Sequence, residues 1–186
     1  MFSKDLSDYI VIIENIISEE LRDNIITGLR NSNFVSHKYN DVTNNTKYTN
    51  LDDNELEINF DYFNADYEEL VSKCVDVYVE NVSSIQGAYL SQISKARYNK
   101  YAENRRMELH VDHIHSLFDG ERKGVPVLSI LGLLNDDFDG GEFIMWDENL
   151  KLKAGDIIIF PSNFLYPHKV NAVSSSERFS VINWAW

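Results

Sequence analysis

From about residue 90 to the C-terminus, short apolar runs follow one another, separated by Gly, Asn, Asp and Pro: residues 91–101, 107–113, 125–134, 142–146, 156–160, 166–171 and 178–186. A series of short strands with frequent turns predicts a β-sandwich or barrel, with helices from the first half packed on it. No internal repeat and no low-complexity tract interrupts this texture.

The first half reads differently. Residues 9–17, YIVIIENII, predict a strand rich in branched side chains. Ser18 is a good N-cap, and Glu19 and Glu20 follow it in the turn where the helix dipole favours acids. Leu21, Ile25 and Leu29 then form one apolar helix face, which ends near Gly28 and Asn31-Ser32-Asn33. Residues 36–57 are rich in Asn, Asp, Thr and Lys and predict a long polar loop with at most a short strand. Tyr67, Leu70, Val71, Cys74, Val77, Tyr78 and Val82 show helical spacing over residues 66–82. Cys74 on that stripe reads as a small core residue, not a nucleophile.

Neither half looks able to fold alone. The expectation is a single domain over 1–186, with 1–94 as a support region and 95–186 as the core. One cysteine excludes an intrachain disulfide and the cysteine-rich zinc sites. The 30 acidic and 17 basic residues give a net charge of −13, and the longest basic cluster is Arg105-Arg106. Phosphate backbones need clustered Lys and Arg, so no nucleic-acid partner is expected. The apolar run Tyr9–Ile13 is too short for a signal segment and follows acids. No stretch approaches the roughly 20 apolar residues that span a bilayer. No membrane partner is expected, and a soluble, reduced, cytoplasmic protein is the default.

Three of the five histidines lie within six residues, at 110, 113 and 115. On a strand, His110 and Asp112 would project from one face. With a histidine from another strand they would make a two-His, one-carboxylate set, which leaves three positions of an octahedral Fe(II) open. His168, 56 residues after Asp112, is the candidate. The alternative is an acidic surface strand with an ordinary histidine. Arg178 shares a face with positions 180, 182 and 184 of an otherwise apolar terminal strand. A buried arginine there needs an anion: an internal Asp or Glu, or a substrate carboxylate.

Taken together, Tyr101, His110-x-Asp112, Gly140-Gly141-Glu142-Phe143, the run Leu152 to Phe160, Pro167-His168-x-Val170 and Arg178-x-Ser180-x₃-Trp184 resemble the iron- and 2-oxoglutarate-dependent dioxygenases. The resemblance covers about residues 95–186 and is greatest to the prolyl 4-hydroxylase branch. It implies a double-stranded β-helix (jelly roll) with N-terminal helices packed on one sheet. It implies that His110, Asp112 and His168 ligate Fe(II), that Arg178 pairs with the distal carboxylate of 2-oxoglutarate, and that Tyr101 lines the same pocket. O2 is the co-reactant, and ascorbate is a further candidate cofactor. Trp184 matches a tryptophan near the prolyl substrate, with simple barrel packing as its alternative. Arg122, with Lys123, falls in a segment that either rims the substrate mouth or is an ordinary hairpin tip.

Some positions depart from the family pattern. Leu133 stands where relatives often place a tyrosine that reaches the cosubstrate carboxylate, which leaves Ser129 and Tyr101 as candidate second donors. Met107 and Asn104 replace a common Tyr and Gly. These changes bear on the substrate, not the reaction type. The leading expectation is hydroxylation of a prolyl residue in a peptide or protein. The alternatives are the same chemistry on a free amino acid, another side chain or a small metabolite, and a non-catalytic cupin-like binding module. Residues 1–94 carry a net −11 and residues 95–186 only −2, so the acidity belongs to the support region.

Overall fold

The computed structural model describes residues 5–37, 39–41, 46–49, 55–82, 90, 92–112 and 124–186. In chain order a 3₁₀ turn (Leu6–Tyr9) precedes β1 (Val11–Ile13), α1 (Glu19–Arg30), β2 (Val35–Ser36), β3 (Tyr39–Asp41), β4 (Thr46–Thr49), β5 (Glu57–Asn59) and α2 (Ala65–Asn81). The second half contributes β6 (Arg97–Tyr101), β7 (Met107–His110), β8 (Leu128–Leu133), β9 (Asp139–Gly140), β10 (Phe143–Met145), β11 (Glu148–Asn149), β12 (Ile157–Pro161), β13 (His168–Val170), β14 (Val173–Ser175) and β15 (Arg178–Ala185).

Seven strands form the major sheet, in the order β1-β12-β8-β15-β6-β5-β2. Four more form a minor sheet, β11-β10-β13-β7, and β14-β9 and β3-β4 are separate pairs. Together these make the expected double-stranded β-helix. Its central strands are buried on both faces, which is why they read as unbroken apolar runs. In β8 and β12, Ile130, Ile157 and Ile159 pack outward against the helices, while Leu131, Ile158 and Phe160 point between the sheets. On β15, Phe179 and Val181 face the helices and Arg178 and Ser180 face inward.

Both helices lie on the outer face of the major sheet. The Ser18 hydroxyl accepts from the Leu21 N–H at 3.3 Å, and α1 buries Ile25, Ile26 and Leu29. Asn64 caps α2, accepting from the Tyr67 N–H at 3.0 Å. The buried stripe of α2 is Tyr67, Val71, Cys74, Val75 and Tyr78, whereas Val77, expected on it, is turned to solvent. Burial pushes the Cys74 thiol up to about 11, which suits packing and not nucleophilic chemistry. Among the described residues no helix is long and apolar enough to cross a membrane.

Two sequence expectations need correction. The first strand is three residues long, not nine. The chain turns at Asn15, whose φ is 49°, and the Asn15 N–H donates to Asp156 Oδ1 at 2.8 Å. Asp156 Oδ2 accepts the Lys153 N–H, also at 2.8 Å. One buried carboxylate therefore holds two backbone turns. Asp156→Ala should cost about 2–4 kcal/mol, since two backbone donors lose a charged acceptor. Urea unfolding midpoints check this, and an unchanged midpoint would contradict it. Secondly, residues 36–57 are not one loop. They include β3 and β4, and β5 begins at their end. Strands of three or four residues are too short to show a period.

Candidate functional site

In the minor sheet, β13 runs antiparallel to β7 and sets His168 opposite His110. The two rings lie 4.3 Å apart between centroids. Asp112 follows two residues after β7 ends and lies beside His110, as the i, i+2 spacing predicts. His110 Nε2 stands 3.5 Å from Asp112 Oδ1, and His168 Nε2 stands 3.8 Å from Asp112 Oδ2. One donor atom from each residue falls within 4.8 Å of the others, a spacing that suits one metal ion.

The rings are turned the right way. His110 Nδ1 lies 2.8 Å from the Glu108 carbonyl and His168 Nδ1 lies 3.1 Å from the Tyr166 carbonyl. A carbonyl only accepts, so Nδ1 carries the proton on both rings and Nε2 offers its lone pair to the shared space. Burial, against the attraction of Asp112, pulls the His168 imidazole down to about 4, so it is neutral at physiological pH. Burial pushes the Asp112 carboxyl up, but the two imidazoles beside it, His110 first, and the Ser129 hydroxyl that donates to it outweigh that. The net effect holds Asp112 well below the usual carboxylate range. Phe160 meets His168 edge-on at 5.0 Å and Phe143 tilts against it at 5.3 Å, fixing the ring from the apolar side.

Arg178 opens β15 opposite Tyr101 of β6 and is 1% exposed. Its guanidinium carbon sits 4.9 Å from the Tyr101 ring and 5.9 Å from the Phe138 ring. Nη1 donates to Ser180 Oγ at 2.9 Å, and Nε has no hydrogen-bond partner among the described residues. No carboxylate of the described residues pairs with it, so the internal salt bridge is not formed there. A desolvated guanidinium without a counter-anion is costly, which is the signature of an anion site. Leu133, Phe143 and Arg178 line one cavity of about 140 Å³ with Gly140 and Gly141. Both glycines have positive φ, and a Cβ on Gly141 would stand 3.0 Å from Arg178 Cδ. The Gly140-Gly141 pair therefore lets the backbone turn directly against the guanidinium.

Ser129 is not beside Arg178. Its hydroxyl donates to Asp112 Oδ2 at 2.7 Å, so of the two candidate second donors only Tyr101 stays at the Arg178 end. Trp184 is half-buried on the inward face of β15, opposite Ser129, with the Arg97 guanidinium 5.0 Å from its ring. Arg122 lies outside the described residues. Sequence reading missed Arg97 and His37. Arg97 projects inward from β6, and its Nε donates to Asn99 Oδ1 at 3.1 Å. Burial, then the Arg97 and His110 charges, pull His37 down to about 3. His37 is thus a neutral imidazole, 3.9 Å from Glu55. Both sit in short segments with no pattern to mark them.

Residues 96–186 match the model of the 2OG-Fe(II) oxygenase superfamily. They belong to that superfamily. Among curated proteins the chain is 27% identical over 125 residues to a PKHD-type hydroxylase of Psychrobacter sp., covering 63% of this chain and 48% of that one. The chain spans about half the length of the curated relatives it matches. Among solved structures it resembles a Trichoplax adhaerens prolyl hydroxylase, with a TM-score of 0.70 and 15% identity over 97% of this chain and 84% of that one. A viral collagen prolyl hydroxylase from Paramecium Bursaria Chlorella virus-1 gives 0.67 and 14%, over 95% and 94%. At these identities the structures bear on the fold, which is the double-stranded β-helix. The superfamily uses Fe(II), 2-oxoglutarate and O2, and the donor set here fits the metal.

Proposed function

We propose that this protein is an Fe(II)- and 2-oxoglutarate-dependent dioxygenase that hydroxylates an unactivated C–H bond, with a prolyl residue of a peptide or protein as substrate. The observation that carries this reading is a two-His, one-carboxylate set in the same barrel as a buried guanidinium with no carboxylate partner among the described residues. When bound, Fe(II) with 2-oxoglutarate and O2 supplies C–H hydroxylation coupled to decarboxylation of the 2-oxo acid to succinate and CO2.

The chain's own groups have separate tasks. His110, Asp112 and His168 hold the metal and leave three positions open on an octahedral ion. Arg178 takes the distal carboxylate of 2-oxoglutarate through charge-assisted hydrogen bonds, with Ser180 fixing one arm of the fork. Tyr101, stacked on that guanidinium, lines the same end of the pocket. Leu131, Ile158 and Phe160 keep the interior dry. Trp184 lies across from Ser129, hence near Asp112, and is placed to meet the substrate together with Arg97. The Trichoplax neighbour is a prolyl hydroxylase in complex with a hypoxia inducible factor peptide fragment, which supports a peptide substrate here.

The test is to incubate the Fe(II)-loaded protein with 2-oxoglutarate and proline-rich peptides, free proline and nucleic acid. Succinate release and product mass are followed together. The expected result is succinate coupled to a peptide heavier by one oxygen. An oxygenated small molecule with unmodified peptides would move the substrate class, and no succinate under any condition would overturn the reading.

A further inference from the structure

The Asp112 carboxylate is held by one hydroxyl, which a second hydroxyl meets in turn. Ser129 and Ser162 are 0% and 1% exposed. Ser129 Oγ lies 2.7 Å from Asp112 Oδ2 and 2.6 Å from Ser162 Oγ. A carboxylate only accepts, so the Ser129 proton points to Asp112, and Ser162 must donate its own proton to Ser129. The order of the chain is thereby fixed: Ser162 to Ser129 to Asp112. Ser129 sits on β8, paired to Phe160 of β12 on one side and Trp184 of β15 on the other. Ser162 is anchored just after β12 by its N–H to the Val127 carbonyl at 2.9 Å. Asp112, by contrast, lies beyond the end of β7 and has no strand partner among the described residues.

We infer that Ser129, aligned by Ser162, is the positioning residue that sets the rotation of the Asp112 carboxylate. With Oδ2 engaged by Ser129, Oδ1 is the oxygen turned toward His110 Nε2. Asp112 then gives the metal one oxygen, and the remaining positions stay open for ligands. Without Ser129 the carboxylate is free to rotate, and the metal meets a less ordered donor set. The inference rests on the reading of His110, Asp112 and His168 as a metal centre.

The experiment titrates Co(II) into the metal-free protein and follows affinity and the visible Co(II) spectrum. Ser129→Ala should weaken Co(II) by roughly 10- to 100-fold, the usual effect of removing an outer-shell partner, and should alter the spectrum. Ser129→Thr keeps the hydroxyl and should stay within about threefold of wild type. Ser162→Ala leaves Ser129 in place and should fall between the two. Wild-type affinity and spectrum in a folded Ser129→Ala protein would overturn the role of Ser129 alone. If Ser129→Ala does not fold, Ser162→Ala decides, and wild-type affinity there overturns the inference. Failure of the wild-type protein itself to bind Co(II) would overturn the metal-centre reading beneath it.

Discussion

Replacing His110, Asp112 or His168 singly with Ala abolishes Fe(II)-dependent consumption of 2-oxoglutarate while the fold persists. The effect is close to complete because three ligands hold one face of the ion, and loss of any one removes both affinity and geometry. The fold survives because the β7–β13 pairing is made by the backbone, although His168 loses its packing against Phe143 and Phe160 and Asp112 its bond from Ser129. The two histidines face each other across β7 and β13, and Asp112 lies off the strand. Circular dichroism and melting of the metal-free variants should match wild type to within a few degrees, and metal binding should be lost. Turnover that survived in all three variants would remove the ligand assignment.

Arg178→Ala gives the second large effect, and it falls on binding. The KM for 2-oxoglutarate should rise by about thirty- to eight-hundred-fold, the ~2–4 kcal/mol expected when one partner of a buried charge pair is removed. The kcat should change far less, since the distal carboxylate is bound alike before and during reaction. Folding is not at risk, because the free guanidinium is a desolvated charge with no carboxylate partner among the described residues. Arg178→Lys should rescue poorly, since an ammonium cannot reproduce the fork held between Tyr101 and Ser180. An unchanged KM in Arg178→Ala would place 2-oxoglutarate elsewhere.

The parts of the fold that were legible are those where burial leaves a period. The apolar runs of β8, β12 and β15 reflect packing on both faces, and the stripes of α1 and α2 reflect packing on one. The length of β1 was not legible, because its end depends on Asp156, far away in sequence. Neither were β3 and β4, which lack a run long enough to alternate. At the site, His110, Asp112 and His168 were marked by their spacing, and His110 and Asp112 meet as that spacing predicts. Asp112 itself lies two residues beyond the end of β7. Arg97, His37 and the Ser162–Ser129 relay carry no local signature. Their meaning comes from the residues they meet on segments distant in sequence.

The central claim is that this chain couples 2-oxoglutarate to C–H oxidation at the His110–Asp112–His168 centre. The most direct measurement is conversion of labelled 2-oxoglutarate to succinate by the Fe(II)-loaded protein, with and without O2, for wild type and His168→Ala with a proline-rich peptide. The account predicts O2-dependent succinate and hydroxylated peptide from wild type and neither from His168→Ala. Equal succinate from the two proteins, or none from wild type with any substrate, would contradict it.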